Sequence, residues 1–263
     1  MNNKDLAMGR LQHLFEKKKT GVLNVYFTAG FPEKKSTVEI MRVLQAEGVD
    51  IIELGMPYSD PLADGPVIQE SSAVALKNGM SIAALFDQLK SFRNEIHIPV
   101  ILMGYMNPVM QFGFEAFCKK AAEVGIDGLI LPDLPPFEFE QSHGEIMKQH
   151  GLDFIFLVTP ETSEERVRKL DQLSSGFLYA VSSSSTTGKE KNMDAVVSYI
   201  DRLNAYQLKN PILVGFGIKD KASFHLISGH ANGGIIGSAF IHQLQKEVNY
   251  TAATQTFIRS ILQ

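Results

Sequence analysis

Eight short apolar runs, each followed by a stretch with helical periodicity, constrain this chain more than any other feature of it. The runs are Val22–Thr28, Asp50–Leu54, Val100–Gly104, Gly128–Pro132, Asp153–Val158, Phe177–Val181, Ile212–Gly215 and Gly234–Ile236. Most lack polar alternation, as do parallel strands covered on both faces. Between them lie amphipathic stretches such as Ser36–Glu47, Phe112–Val124, Phe137–Gln149, Ser163–Leu173, Met193–Gln207 and Lys219–Ile227, several opened by Ser, Thr or Asp. Eight strand–helix rounds predict an α/β fold, a (β/α)8 TIM barrel. No low-complexity linker divides the 263 residues, so residues 1–263 are expected to form one domain. Leu6, Leu11, Leu14 and Phe15 share a helical face, which predicts an extra helix ahead of the first strand. Asp64–Lys90 is longer than one crossover requires, and Ser238–Gln263 reads as a short helix then a longer one. Extra helices are therefore expected after the second and eighth strands.

Catalytic groups in such barrels sit at the C-terminal ends of strands and in the loops that follow. After the second strand that position reads ELGMPYSDPLADGP, with Glu53 closing the strand and Asp60 and Asp64 in the loop. Alternation aims Glu53 the same way as Ile51, and one of the two directions is inward. An inward rim carboxylate is partly desolvated, which raises its pKa toward the range useful for proton transfer. Asp64, on a wetter loop, is expected to stay ionised, and two carboxylates in unlike surroundings can divide acid–base and charge-stabilising roles. The alternative is a strand-end ion pair for Glu53 and turn or helix capping for the two aspartates. Other polar residues at the predicted strand ends are Thr28, Tyr105, Asn107, Asp133, Thr159 and the run from Ser182 to Thr187.

Two late glycine turns point to phosphate. VGFGIKD (Val214–Asp220) ends the seventh strand, and GSAF (Gly237–Phe240) follows the eighth and opens a helix. Loops after strands seven and eight, with a helix N-terminus, form the recurrent phosphate cradle of these barrels. Each turn alone would serve equally as a tight connection. Net charge is −4 and the longest basic run is Lys17–Lys19, which is no nucleic-acid footprint. A small-molecule ligand is expected. No apolar run is long enough for a membrane span or signal peptide. The single cysteine, Cys118, supplies neither a disulfide framework nor a metal cluster, and the seven histidines fall mostly in helical stretches or in loops entering strands. No metal is expected, and the cytoplasm is the expected compartment.

ELGMPYSDPLADGPVIQ, together with TAG-x-P at Thr28–Pro32, PDLP at Pro132–Pro135, VGFGI and GSA, resembles the tryptophan synthase alpha subunit family over nearly the whole chain. The resemblance implies retro-aldol cleavage of indole-3-glycerol phosphate to indole and glyceraldehyde 3-phosphate, in tryptophan biosynthesis. It implies Glu53 as general acid/base and Asp64 as partner of the indole N–H. It further implies Tyr26, Tyr105, Tyr179, Thr187 and Phe216 against the substrate, and Gly188, Gly217, Gly237 and Ser238 at its phosphate. No cofactor is implied on this chain, because pyridoxal phosphate belongs to a beta subunit. That subunit is the implied partner in an alpha2beta2 complex, meeting the loop at Pro57 and Asp60. The segment SSSSTTG departs from the family's more usual glycine–valine pattern, while the polar run from Thr186 to Met193 suits a lid.

Overall fold

The apolar runs pair side by side, all in parallel. In the computed structural model, which describes residues 9–181, 193–215 and 217–263, the strands are β1 (Val22–Thr28), β2 (Ile51–Gly55), β3 (Val100–Met103), β4 (Gly128–Ile130), β5 (Asp153–Phe154), β6 (Leu157–Val158), β7 (Leu178–Val181), β8 (Ile212–Gly215) and β9 (Gly233–Ile236). Their order is β5-β4-β3-β2-β1-β9-β8-β7-β6. β5 pairs with β4 and β6 with β7. Only Ile155 and Phe156 separate the two, so one broken stave closes the ring.

That break differs from the single fifth strand the sequence suggests. Its cause is local: the hydroxyls of Ser174 and Ser175 accept from the amides of Phe156 and Phe154, at 3.2 and 3.0 Å. Side-chain oxygens thus take donors that a continuous backbone ladder would use. The predicted helix Phe112–Val124 begins instead at Phe114, and a separate helix Met106–Phe112 precedes it, the two parted at Gly113 with φ 93°. A positive φ there favours glycine over any residue with a Cβ. The extra helices stand where expected, at Pro66–Lys77 and Ile82–Gln88 after β2, and at Ser238–Lys246 and Tyr250–Leu262 after β9.

Strand alternation sorts the core into two layers. Ile51, Ile101, Ile130, Ile155, Leu213 and Ile235 fill the barrel interior. Leu23, Val25, Phe27, Ile52 and Leu54 face outward against helices that bury Ile40, Leu44, Phe240 and Ile258. Each such side chain contributes about 1.5–3 kcal/mol by leaving water. The leading helix Arg10–Lys17 stoppers the N-terminal end, its Leu11 and Phe15 joining the interior cluster and Phe15 lying 6.2 Å from the Phe177 ring. With the floor closed, the interior opens only at the C-terminal rim. No helix among the described residues is long and apolar enough to cross a membrane.

Candidate active site

Ile51 belongs to the interior cluster and Ile52 to the outer one, so Glu53 points inward. It is fully buried. Asn24 on β1 donates its Nδ2 to Glu53 Oε2 at 2.8 Å, while Oε1 makes no hydrogen bond to any described residue. Burial pushes the Glu53 carboxyl up to about 8; the Asn24 hydrogen bond opposes the rise and the charge of Asp64 adds to it. A group titrating there can both give and take a proton near neutral pH.

Asp64 is buried too, at 9% exposure. The wetter setting expected of a loop residue is therefore corrected: the loop turns back over the rim, and Tyr105 covers the carboxylate. Tyr105 Oη donates to Asp64 Oδ2 at 3.0 Å and accepts from the Ala63 amide at 3.1 Å. Gln69 Nε2 donates to the Asp64 carbonyl at 2.9 Å, tying the loop to the helix that begins at Pro66. Burial raises the Asp64 carboxyl to about 6 against the lowering by Tyr105. Glu53 thus holds its proton to higher pH than Asp64, which sets the two acids apart.

Both open on one cavity of about 730 Å3, which also reaches Tyr26, Tyr179, Gly217, Gly237 and Ser238. Tyr26 and Tyr179 are buried, and the pKa of each phenol is raised, chiefly by that burial and further by Glu53 and Asp64. Each ring fits because the neighbouring strand carries a glycine. A Cβ on Gly55 would stand 2.2 Å from Tyr26 Oη, and one on Gly215 would stand 2.4 Å from Tyr179 Oη. Across the cavity, the helix starting at Ser238 leaves its first amides without intrahelical partners, a ready anion site. The glycine turn at Gly217, with φ 89°, faces the same space.

Of the other predicted positions, Thr159 also lines this cavity, and the rest of those described fall elsewhere. Tyr105 is not part of this cavity wall; it braces Asp64. Pro57 is half-buried and Asp60 exposed on the outer part of the loop, beside Leu62 at 91% exposure. Thr159 Oγ1 pairs with Thr162 Oγ1 in a local turn, while Asp133 accepts from the Met106 amide at 3.0 Å and Asn107 Nδ2 donates to Tyr58 Oη at 2.9 Å, both tying together loops distant in the chain. Thr187, Gly188, Phe216 and residues 186–192 of the suggested lid lie outside the described residues. Two further side chains at the cavity mouth were not among the predicted site residues. Lys219 and His242 are both exposed there. His242 sits four residues past Ser238, hence on the same helix face, and that spacing was the available signal. A larger open depression, about 1450 Å3, lies at the N-terminal end beside the leading helix, the end where barrels keep stability rather than chemistry.

Comparison with known proteins agrees over nearly the full length. The family described as tryptophan synthase alpha chain matches residues 11–261. The tryptophan synthase alpha chain of Parabacteroides distasonis is 48% identical over 257 residues, 97% of this chain and 100% of that one. That of Christiangramia forsetii is 50% identical over 241 residues, 91% and 93% of the two chains. Among solved structures, tryptophan synthase subunit alpha from Legionella pneumophila superposes with a TM-score of 0.88 at 34% identity, covering 97% of each chain. A chain of the tryptophan synthase complex from Pyrococcus furiosus gives 0.84 at 34% identity, covering 93% of this chain and 99% of that one.

Proposed function

The chain belongs to the tryptophan synthase alpha chain family, and from that premise we propose how its residues divide the work. The reaction is the alpha reaction of tryptophan biosynthesis, retro-aldol cleavage of indole-3-glycerol phosphate to indole and glyceraldehyde 3-phosphate. Breaking the C–C bond requires the indole ring to become an electron sink. Glu53, protonated at rest, gives its proton to indole C3. The positive charge then spreads to the ring nitrogen, where ionised Asp64 stabilises it. The Glu53 carboxylate next takes the proton of the glycerol hydroxyl on the carbon attached to the ring. The C–C bond breaks, its electron pair returns to the ring, and the hydroxyl-bearing carbon becomes the aldehyde. Proton given and proton taken balance, so this chain needs no cofactor of its own. Pyridoxal phosphate belongs to the partner.

Gly217, Gly237 and Ser238 supply backbone donors for the substrate phosphate, with Gly188 as a further contributor. Tyr26, Tyr179 and Phe216 enclose the ring, and Thr187 closes over Asp64. The chain works with a beta subunit, and Pro57 and Asp60 are the contact points on an alpha2beta2 assembly in the cytoplasm. One observation carries the reading: a fully buried carboxyl titrating near neutrality stands at the head of the same cavity into which both glycine turns open. Indole release by Glu53→Gln in complex with the beta subunit tests it. Loss of a positioned acid/base costs on the order of 10²–10⁴ in rate. A folded variant keeping a tenth or more of the activity overturns the assignment.

A further inference from the structure

Asn24 stands on the inward face of β1 between Val22 and Tyr26. It is fully buried, and its backbone partners on the adjoining strands are Ile51 and Ile235, both interior residues. Burying a carboxamide among aliphatic side chains is costly unless its hydrogen bonds are made. Yet only Nδ2 is engaged among the described residues, and its acceptor is Glu53 Oε2; Asn24 Oδ1 and Glu53 Oε1 make no hydrogen bond to any of them. Valine would fill the space without that cost. Lysine would hold the carboxyl ionised.

A carboxamide does neither, because it presents a donor and an acceptor on the two arms of one plane. When Glu53 is ionised, Nδ2–H donates to it. When Glu53 is protonated, its O–H needs an acceptor, and a half-turn of the Asn24 amide brings Oδ1 to the same place. We propose that Asn24 is a positioning residue for the cleavage reaction, pairing with Glu53 in both protonation states and so keeping its proton exchangeable and its free oxygen aimed into the cavity. This rests on Glu53 being the acid/base. The remaining groups facing Glu53 are Asp64 from the β2 loop, Tyr26 from β1 and Tyr179 from β7, while its register partner on β3 is the apolar Ile101. None of these is hydrogen-bonded to its carboxyl among the described residues.

The test is the pH profile of kcat and KM for indole release by the complex with the beta subunit, for the unaltered chain, Asn24→Val, Asn24→Ser and Glu53→Gln. Asn24→Val removes both pairings, of which the charge-assisted one to the ionised form is the stronger, so the Glu53 inflection is expected to move upward by about one pH unit. KM should stay put while kcat at neutral pH falls. Asn24→Ser, whose hydroxyl both gives and accepts, is expected to restore part of the profile. An unmoved inflection in Asn24→Val, or a change confined to KM, overturns the proposal. An active Glu53→Gln would instead overturn the acid/base reading itself. Should Asn24→Val fail to fold, infrared titration of the unaltered protein decides: the Glu53 carboxyl band, identified by its loss in Glu53→Gln, is expected at a hydrogen-bonded frequency. A free-acid frequency overturns the proposal.

Discussion

Two buried carboxylates at opposite ends of the barrel are treated in opposite ways. Asp127, just ahead of β4 at the N-terminal end, accepts from the Val100 amide at 2.7 Å, from Arg10 Nη1 at 2.9 Å and from Arg93 Nη2. Arg93 is itself saturated, giving Nε to the Gly125 carbonyl at 2.8 Å and Nη1 to that of Ile98 at 2.7 Å. Both guanidiniums converge on the one carboxylate, and the knot ties the leading helix to the barrel floor. Glu53 at the other end has one neutral donor and one unengaged oxygen. Burial therefore does not by itself mark a functional acid. What separates the two is how completely the neighbours neutralise the charge: the saturated site holds structure, and the starved one can pass a proton.

Glu53→Gln should break this contrast most sharply. Activity is expected to fall on the order of 10²–10⁴, while stability at alkaline pH rises. The sign follows from a folded-state pKa of about 8 against 4.5 for an ordinary glutamate. The folded state holds a proton the unfolded chain releases, so wild-type stability declines as pH climbs between those values and levels off above the upper one. Glu53→Gln should lack that part of the decline, read by thermal melts across the range. Asp127→Ala is the mirror experiment. It leaves the half-buried Arg93 without its counter-charge and should cost about 3–5 kcal/mol in urea unfolding, with turnover of the folded molecules unchanged. A small stability loss there would mean that the arginines are not confined by the barrel floor.

Smaller changes probe the support around the starved acid. Gly55→Ala puts a methyl group into the Tyr26 hydroxyl, and overpacking of this kind costs about 1–3 kcal/mol. The displaced ring should also lower kcat/KM; wild-type kinetics would show that Tyr26 can move without consequence. Tyr105→Phe is the mildest, about 0.5–1.5 kcal/mol for one hydrogen bond. Because that bond lowers the Asp64 carboxyl from where burial alone would set it, its loss should raise the Asp64 titration above about 6 and shift the acid limb of the rate profile upward. An unshifted limb would remove Tyr105 from any role at Asp64.

The barrel was legible in the sequence, and so was the face Glu53 shares with Ile51, because period-two alternation fixes which of Ile51, Ile52 and Glu53 point together; that this face is the inward one came from the structure. The extra helices were legible from length alone. The broken fifth stave was not, since it arises from serine hydroxyls contributed by the segment leading to β7. Nor was the burial of Asp64, which depends on Tyr105 arriving from the β3 end, forty-one residues further on. Loop composition reports turn chemistry and says little about what later folds over it. Asn24 left a trace that periodicity could have caught: the lone amide in VLNVYFT lies on the same face as Tyr26.

The break in the fifth stave also makes the ring divisible by cutting the chain once. Everything before it, β1 to β5, is a contiguous arc, and everything after it, β6 to β9, is the other. Glu53, the proposed acid/base, belongs to the first arc with Asn24 and Asp64; Tyr179 and the glycine turns at Gly217 and Gly237 belong to the second. On the proposed function, neither arc alone would both grip a phosphorylated substrate and protonate it. Turnover regained on mixing two separately made arcs would therefore register their docking, without any label or probe.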